Sequence, residues 1–512
     1  MQSAVGAALA VAGLTRPADA HGFGQRYDLP IPLSLWVAGA AAAVALSFVI
    51  IGLFARGGAR RSGYPRVNLL QWRFGRALAH VRTRSIARAM SVALLLLVVA
   101  AGVFGNQNPT RNLAPIFVWI VWWVGFAYVS AMVGDLWAVV NPWSVIFSWV
   151  DRLSRRLGAA PLSLGVPYPA WLGVWPAIVL FGTFAWAELV YAGRSLPAKL
   201  ALMILVYSLI AWTGMLTFGR HAWRRHGDPF AVTFGLLARF APTEVRVASS
   251  AGCRDCEEEC DPAVADCVGC GECFARAAPA ARELNLRPYG VGLLRTRNVS
   301  PSLVVFVLLL LSTVTYDGFT ATPAWSTIES SLYPRLAWLG DLRSATVGTL
   351  GLLAFPLTFL VVYRLFAYAM ASAAGGRLSP ATVASRFVLS LIPIAIAYHL
   401  AHYFTYLLIQ GQLAIRLASD PFGVGWNLLG TARYRPDVGI VGARFAWYTA
   451  VIAVVAGHII AVWLAHVVAL REFPDRREAI RSQVPMLVLM VGYTIVSLWI
   501  LAQPIVETSP GG

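Results

Sequence analysis

Long apolar runs separated by short polar segments dominate the chain. Ten of these runs have the length of about 20 residues that an α-helix needs to cross a bilayer. Between them lie segments with arginine, glycine or proline, which are typical of helix ends and loops. The pattern predicts an all-α polytopic membrane protein with transmembrane helices at about 33–55, 88–105, 114–134, 169–191, 197–218, 300–319, 347–370, 386–409, 444–469 and 482–502.

The composition agrees with a membrane protein and argues against a nucleic-acid-binding protein. The chain is 58% apolar and only 13% charged, against about 25% charged in soluble proteins. Its net charge of +17 comes from arginines in short loops, which we interpret as topology signals and not as a nucleic-acid surface. We therefore expect the lipid bilayer as a partner and no nucleic acid.

The basic loops alternate along the chain, as ten crossings require. Loops 56–87, 135–168, 219–299, 371–385 and 470–481 are basic and fall on one side, which we predict to be cytoplasmic. Both termini then lie outside. We divide the chain into a signal peptide (1–20), a membrane half with five spans (21–218), a cytoplasmic Cys-rich loop (219–299) and a second membrane half (300–512).

Four of the eight histidines fall in two neighbouring apolar runs. His399 and His402 are three residues apart, so they share one face of a helix about 4.5 Å apart along its axis. His458 lies near the middle of the next run, at a depth similar to that of His399. We expect His399, His402 and His458 to converge, whereas His466 is too far toward the inside to join them.

Two carboxylates, Glu188 and Asp317, lie toward the outer ends of other spans. Three imidazoles and a carboxylate suit a divalent transition metal, and zinc most of all. Two alternatives remain open. The histidines could instead hydrogen-bond to neighbouring helices, or His399 and His458 could be the two axial ligands of one b-type haem.

All six cysteines lie within loop 219–299, at Cys253, Cys256, Cys260, Cys267, Cys270 and Cys273. Such spacing on the cytoplasmic side favours metal binding over disulfides. The Cys-x2-Cys pairs suit zinc, and the last three cysteines also resemble ligands of a ferredoxin-type iron–sulfur cluster. A fourth ligand would then be Cys253, Cys256 or Cys260. Zinc, an iron–sulfur cluster and no metal all remain open.

Three segments carry a resemblance to a known family. The segments 21–30 (HGFGQRYDLP), Gly134-Asp135-Leu136-Trp137 through Asn141-Pro142-Trp143, and Thr315-Tyr316-Asp317-Gly318-Phe319 resemble bacterial membrane proteins named as fenitrothion hydrolases. The resemblance runs along most of the chain but contains no compact catalytic motif. It implies a bacterial inner-membrane enzyme that hydrolyses a small apolar organophosphorus phosphotriester and releases a nitrophenol.

The membrane residues are compatible with that chemistry. A metal held by His399, His402 and His458 would lower the pKa of its bound water and polarise the phosphoryl group. Asp317 would be a fourth ligand or the general base, and Glu188 would interact with the metal ligands without binding the metal itself. Two other classes compete: a membrane redox protein with an iron–sulfur cluster and possible haem, and a metal or solute transporter. The sequence shows no inverted repeat of the kind that many transporters contain.

Overall fold

The computed structural model describes residues 27–54, 63–248, 260–261, 266–294 and 299–507. The predicted signal peptide, Cys253 and Cys256 lie outside the described residues. Within these ranges the protein is mostly helical, and the predicted all-α polytopic class is confirmed.

Ten helices are long and apolar enough to cross a membrane among the residues that the structure describes. All ten correspond to predicted spans, with ends that differ by up to seven residues because several helices continue past the apolar core. In chain order they are Leu33–Phe54, Val81–Phe104, Leu113–Met132, Ala170–Leu189, Pro197–Phe218, Pro301–Thr320, Leu342–Ala373, Pro380–Gln410, Ala443–Glu472 and Arg476–Ile505.

The sixth and eighth spanning helices, Pro301–Thr320 and Pro380–Gln410, are the most buried of the ten. They pack against each other, and the ninth spanning helix packs along the eighth. The third spanning helix contains a π-helical stretch, Phe117–Val124. After the third spanning helix the chain forms two short helices, Trp137–Val140 and Pro142–Arg156, which meet at Asn141.

The loops between spanning helices lie alternately at two opposite faces of the helix bundle. One face joins both described chain ends, where strand β1 (Tyr27–Asp28) pairs with β7 (Val506–Glu507). The same face joins the loops after the second, fourth and eighth spanning helices. Asn106 N–H donates to Phe422 O at 2.7 Å and joins two of these loops. The other two contacts join a loop to a helix, with Ala198 N–H donating to Gln107 Oε1 at 3.0 Å and Trp119 Nε1–H donating to Arg194 O at 3.0 Å. A chain that crosses the membrane ten times must have both ends on the same face, as is found here.

The opposite face carries a small sheet that the sequence did not predict. Its strands are β2 (Val67–Asn68), β3 (Thr243–Val247), β4 (Cys260–Asp261), β5 (Asp266–Val268) and β6 (Arg282–Leu286), in the order β2-β6-β3-β5-β4. All its neighbouring strands are antiparallel. The segment expected to be a Cys-rich loop is thus folded around a sheet. We call this sheet, together with the helix Gly271–Arg276, the Cys module.

Candidate functional site

A carboxylate, an imidazole and a phenol meet between the sixth and eighth spanning helices. Asp317 Oδ2 accepts hydrogen bonds from His402 Nε2 at 2.9 Å and from the Tyr403 hydroxyl at 2.5 Å. The His402 side chain is 4% exposed and the Asp317 side chain 22% exposed. One oxygen of the carboxylate is therefore held by two buried donors, while part of the group remains accessible.

Gly318 makes this approach possible. A Cβ atom at position 318 would lie 2.7 Å from Tyr398 Oη, 2.9 Å from Ile500 Cγ2 and 3.6 Å from His402 Cε1. The first two distances are shorter than ordinary van der Waals contacts. The absence of a side chain at Gly318 thus brings the carboxylate of its neighbour within reach of the eighth helix.

Two further charges lie near Asp317. Glu188, at the C-terminal end of the fourth spanning helix, interacts electrostatically with Asp317, and Arg194 in the following loop interacts with both carboxylates. Arg194 is anchored by its own carbonyl, which accepts the Trp119 indole N–H. Glu188 and Asp317 are the two carboxylates expected near the site from the sequence, and in the structure they interact electrostatically with each other.

Arg194 and Tyr403 were missed as site residues. Arg194 is the basic residue of a very short loop that directly follows Glu188, so proximity along the chain could have indicated it. Tyr403 follows His402 in the sequence. Adjacent residues of a helix point in directions about 100° apart, so a search for residues on one helix face does not group His402 with Tyr403. The side chains of His402 and Tyr403 nevertheless both reach Oδ2 of Asp317.

His399 faces a different neighbour. Its ring lies against Trp123 and Tyr128 of the third spanning helix, with ring centroids 6.1 Å and 5.3 Å away. A cavity of about 20 Å³ beside the ring is also lined by Thr233. This volume suits one water molecule and is too small for an organic substrate.

His458 and His466 face the tenth spanning helix. The His458 ring lies 5.9 Å from that of Tyr493, and its Nδ1–H donates to Val454 O at 2.8 Å. His466 Nδ1 bonds Gln483 Oε1 at 3.1 Å, away from the other histidines, as the depth argument predicted. Both imidazoles are buried.

The expected convergence of three imidazoles is not found. Over the described ranges, which include all of these histidines and Asp317, no group of three donor atoms within 4.8 Å of one another contains a membrane histidine. The physical reason is the rotation of each helix about its own axis. Similar depth in the membrane does not determine the direction in which a side chain points, and the rings of His399, His402 and His458 each face a different neighbouring helix. Only His402 of the three contacts Asp317.

The cysteines of the Cys module do converge. The sulfur atoms of Cys267, Cys270 and Cys273 lie within 4.8 Å of one another, and all three side chains are buried. Cys267 belongs to β5, and Cys270 caps the helix Gly271–Arg276, its sulfur accepting Cys273 N–H at 3.4 Å. Gly269, at φ +89°, allows the sharp turn between strand and helix. Three thiolates so arranged can hold a metal ion.

Comparisons of the chain with protein-family models, curated proteins and solved structures give no match. The resemblance to fenitrothion hydrolases thus rests on the sequence segments alone. Ten apolar helices, the Asp317 site and the three-cysteine group define the class: a multi-pass membrane protein with a folded Cys module on one face.

Proposed function

We propose that this protein is a membrane hydrolase of small apolar organophosphorus phosphotriesters, with Asp317 as its general base. The observation that supports this best is the fixed orientation of the Asp317 carboxylate. His402 and Tyr403 both bind Oδ2, so the other oxygen is directed away from them and can accept a proton from water. A base held by a second group is the usual arrangement for activating a nucleophile.

The proposed reaction uses water and no other reactant. Asp317 takes one proton as the water oxygen forms a bond to phosphorus, and the bond from phosphorus to the aryl oxygen breaks. The aryl oxygen departs as a nitrophenolate, and the phosphodiester product and Asp317 release two protons to solvent. Arg194 interacts electrostatically with Asp317, and its positive charge would favour negative charge that develops on phosphorus oxygens.

The location of Asp317 suits an apolar substrate. The residue is near the end of the sixth spanning helix, below the face that carries both chain ends. A phosphotriester concentrates in lipid and can approach between helices, so it does not need to cross a water-filled entrance. His399 and His458 serve the packing of the helices in this proposal, and Glu188 adjusts the charge around Asp317.

We also propose the orientation in the bacterial inner membrane. The face with the Cys module carries the arginine-rich loops, so it is cytoplasmic, and both termini are outside. The Cys module is then in a reducing compartment, which favours thiolates as metal ligands. The Asp317 site lies toward the outer side.

The experiment is hydrolysis of fenitrothion by purified protein in lipid nanodiscs, followed by the absorbance of the released nitrophenol. We expect activity in the wild type and a loss of at least about a hundredfold in Asp317→Asn, because general bases contribute about 10²–10⁴-fold. Asp341→Asn is the matched control. This exposed residue begins the seventh spanning helix and makes no capping hydrogen bond, so it receives the same chemical change outside the site.

Two results would count against the proposal. Wild-type protein that is folded and monodisperse but inactive on phosphotriesters would remove the substrate class. Equal activity in Asp317→Asn and wild type would remove Asp317 as the base, even where the hydrolysis itself is real.

A further inference from the structure

We propose that the Cys module holds a single zinc ion and that Cys260 is its fourth ligand, with Cys267, Cys270 and Cys273. The sequence left two questions open, namely the kind of metal group and the identity of the fourth thiolate. Sulfur geometry bears on the first question, and strand register bears on the second.

The spacing of the three sulfur atoms fits one ion. With zinc–sulfur bonds of about 2.3 Å, two thiolates of a tetrahedral site lie roughly 3.8 Å apart. The sulfurs of Cys267, Cys270 and Cys273 all lie within 4.8 Å of one another, a limit that includes the separation expected for one ion. In a four-iron cluster each thiolate binds a different iron, which holds the ligand sulfurs further apart. The geometry therefore favours a mononuclear site.

The register of the sheet selects the fourth ligand. Strands β4 and β5 are antiparallel, and Cys260 pairs with Cys267 while Asp261 pairs with Asp266. Residues directly opposite each other in an antiparallel pair share one face of the sheet, with Cβ atoms about 4.5–5.5 Å apart. The register thus places position 260 next to a cysteine of the three-thiol group.

The small core of the Cys module gives the metal a structural role. Among the described residues, its buried apolar cluster consists of Val247, Phe274 and the three cysteines themselves, and the few partly buried residues against it are Leu70, Val245, Ala277 and Ala281. So few apolar side chains stabilise a fold poorly, and small modules of this kind usually depend on a metal or a disulfide. A zinc ion would join β4, β5 and the helix Gly271–Arg276 at one point.

The site is also tied to the membrane part of the protein. Glu272, between Cys270 and Cys273 in sequence, forms an ion pair with Arg220 at 2.5 Å. Arg220 begins the short helix Arg220–His226 that directly follows the fifth spanning helix. Zinc binding would therefore fix the position of the Cys module relative to the bilayer.

The first test uses the unaltered protein. Full-length protein is purified in detergent, its metal is measured by elemental analysis, and its thiols are alkylated with and without a chelator before mass spectrometry. We expect one zinc per chain. We also expect chelator-dependent alkylation of Cys260, Cys267, Cys270 and Cys273, whereas Cys253 and Cys256 react in both conditions. Iron with acid-labile sulfide, or protection of Cys253 or Cys256 in place of Cys260, would overturn the proposal.

Variants give the second test. Cys260→Ser should release zinc to a competing chelator at least tenfold more readily than wild type, and Cys253→Ser and Cys256→Ser should match wild type. If Cys260→Ser aggregates, Cys260→His decides, because it keeps a ligand atom at that position. Zinc retained by Cys260→His with a changed cobalt-substituted spectrum supports the assignment. A wild-type spectrum in that variant contradicts it.

Discussion

At the scale of single residues, the candidate site depends on one glycine. Gly318 lies beside Asp317, and a Cβ atom there would lie so close to Tyr398 Oη and Ile500 Cγ2 that these side chains would have to shift. In a helix, glycine is ordinarily less favourable than alanine by about 1 kcal/mol. Its presence here is explained by the close approach that lets His402 and Tyr403 reach Asp317.

We predict that Gly318→Ala destabilises the protein by about 1–3 kcal/mol, the usual cost of forcing a methyl group into a packed interior. The added Cβ should push the sixth helix away from Tyr398 and lengthen the hydrogen bonds to Asp317. Thermal unfolding in detergent and fenitrothion hydrolysis should both decrease.

Gly492→Ala is the matched control for this change. Gly492 is also within a spanning helix, but a Cβ there would meet no atom within 4 Å. The control should unfold at the wild-type temperature or slightly above it. Equal behaviour of the two variants would show that close packing at Gly318 does not hold the site together.

The sequence predicted part of this site. Asp317 and His402 were both singled out because ionisable groups are rare inside membranes, and the structure places them in contact. His458 was expected to join them on the basis of depth. Depth does not determine which way a helix is rotated, and the His458 ring instead lies beside Tyr493.

At the scale of elements, the Cys module is organised around a buried carboxylate. The Glu244 side chain in β3 is 1% exposed and accepts hydrogen bonds from Tyr64 at 2.6 Å, Arg66 at 2.5 Å and Arg287 at 2.7 Å. Burial acts to raise the pKa of Glu244, but these hydrogen bonds and the two arginine charges outweigh it and hold the pKa below its usual value. Glu244 thereby joins the loop after the first spanning helix to the module.

We predict that Glu244→Gln destabilises the Cys module by about 3–5 kcal/mol, because it leaves two arginines without a buried partner charge. Since the pKa of Glu244 is lowered on folding, its contribution is complete above the unfolded pKa of about 4.5 and is lost as the pH falls below it. The rate at which the module's thiols become reactive on heating is compared between the variant and the wild type at each pH, because thiol chemistry and metal binding themselves change in acid. The difference between the two proteins should be large at pH 7 and smaller at pH 4.

Glu283→Gln is the control on the neighbouring strand. Glu283 in β6 pairs with Arg246 at 3.0 Å, but both side chains are about a quarter exposed. A pair in contact with water contributes about 0–1 kcal/mol, so this variant should remain close to wild type. If Glu244→Gln is as stable as Glu283→Gln at pH 7, Glu244 does not hold the module together.

The elements differ in how well the sequence predicted them. Each spanning helix is an apolar run of the required length, which can be identified without knowing what it contacts. The sheet contains strands of two to five residues, and β2 pairs with β6 although more than 200 residues separate them. No local pattern in either strand indicates such a partner. The short spacing of the cysteines did indicate a shared site, and three of them converge.

At the scale of the whole molecule, the distribution of arginines among the loops and the contacts between loops divide the loops into the same two groups, one at each face. The arginine-rich loop after the first spanning helix contributes β2 to the sheet of the Cys module, and the arginine-rich loop after the fifth contributes its other strands. The opposite face holds both described ends and the loops after the second, fourth and eighth spanning helices. In the orientation that we propose, the arginine-rich loops remain in the cytoplasm and both termini lie outside.

This orientation predicts which cysteine substitutions are labelled from outside. Leu429, after the eighth spanning helix, is 67% exposed, and Leu157, after the third, is 78% exposed. A membrane-impermeant maleimide should label Leu429→Cys in intact spheroplasts and should label Leu157→Cys only after permeabilisation. Wild-type protein and the matching serine variants measure the background from the native cysteines. Labelling of Leu157→Cys, but not Leu429→Cys, in intact spheroplasts would reverse the orientation and place the Asp317 site toward the cytoplasm.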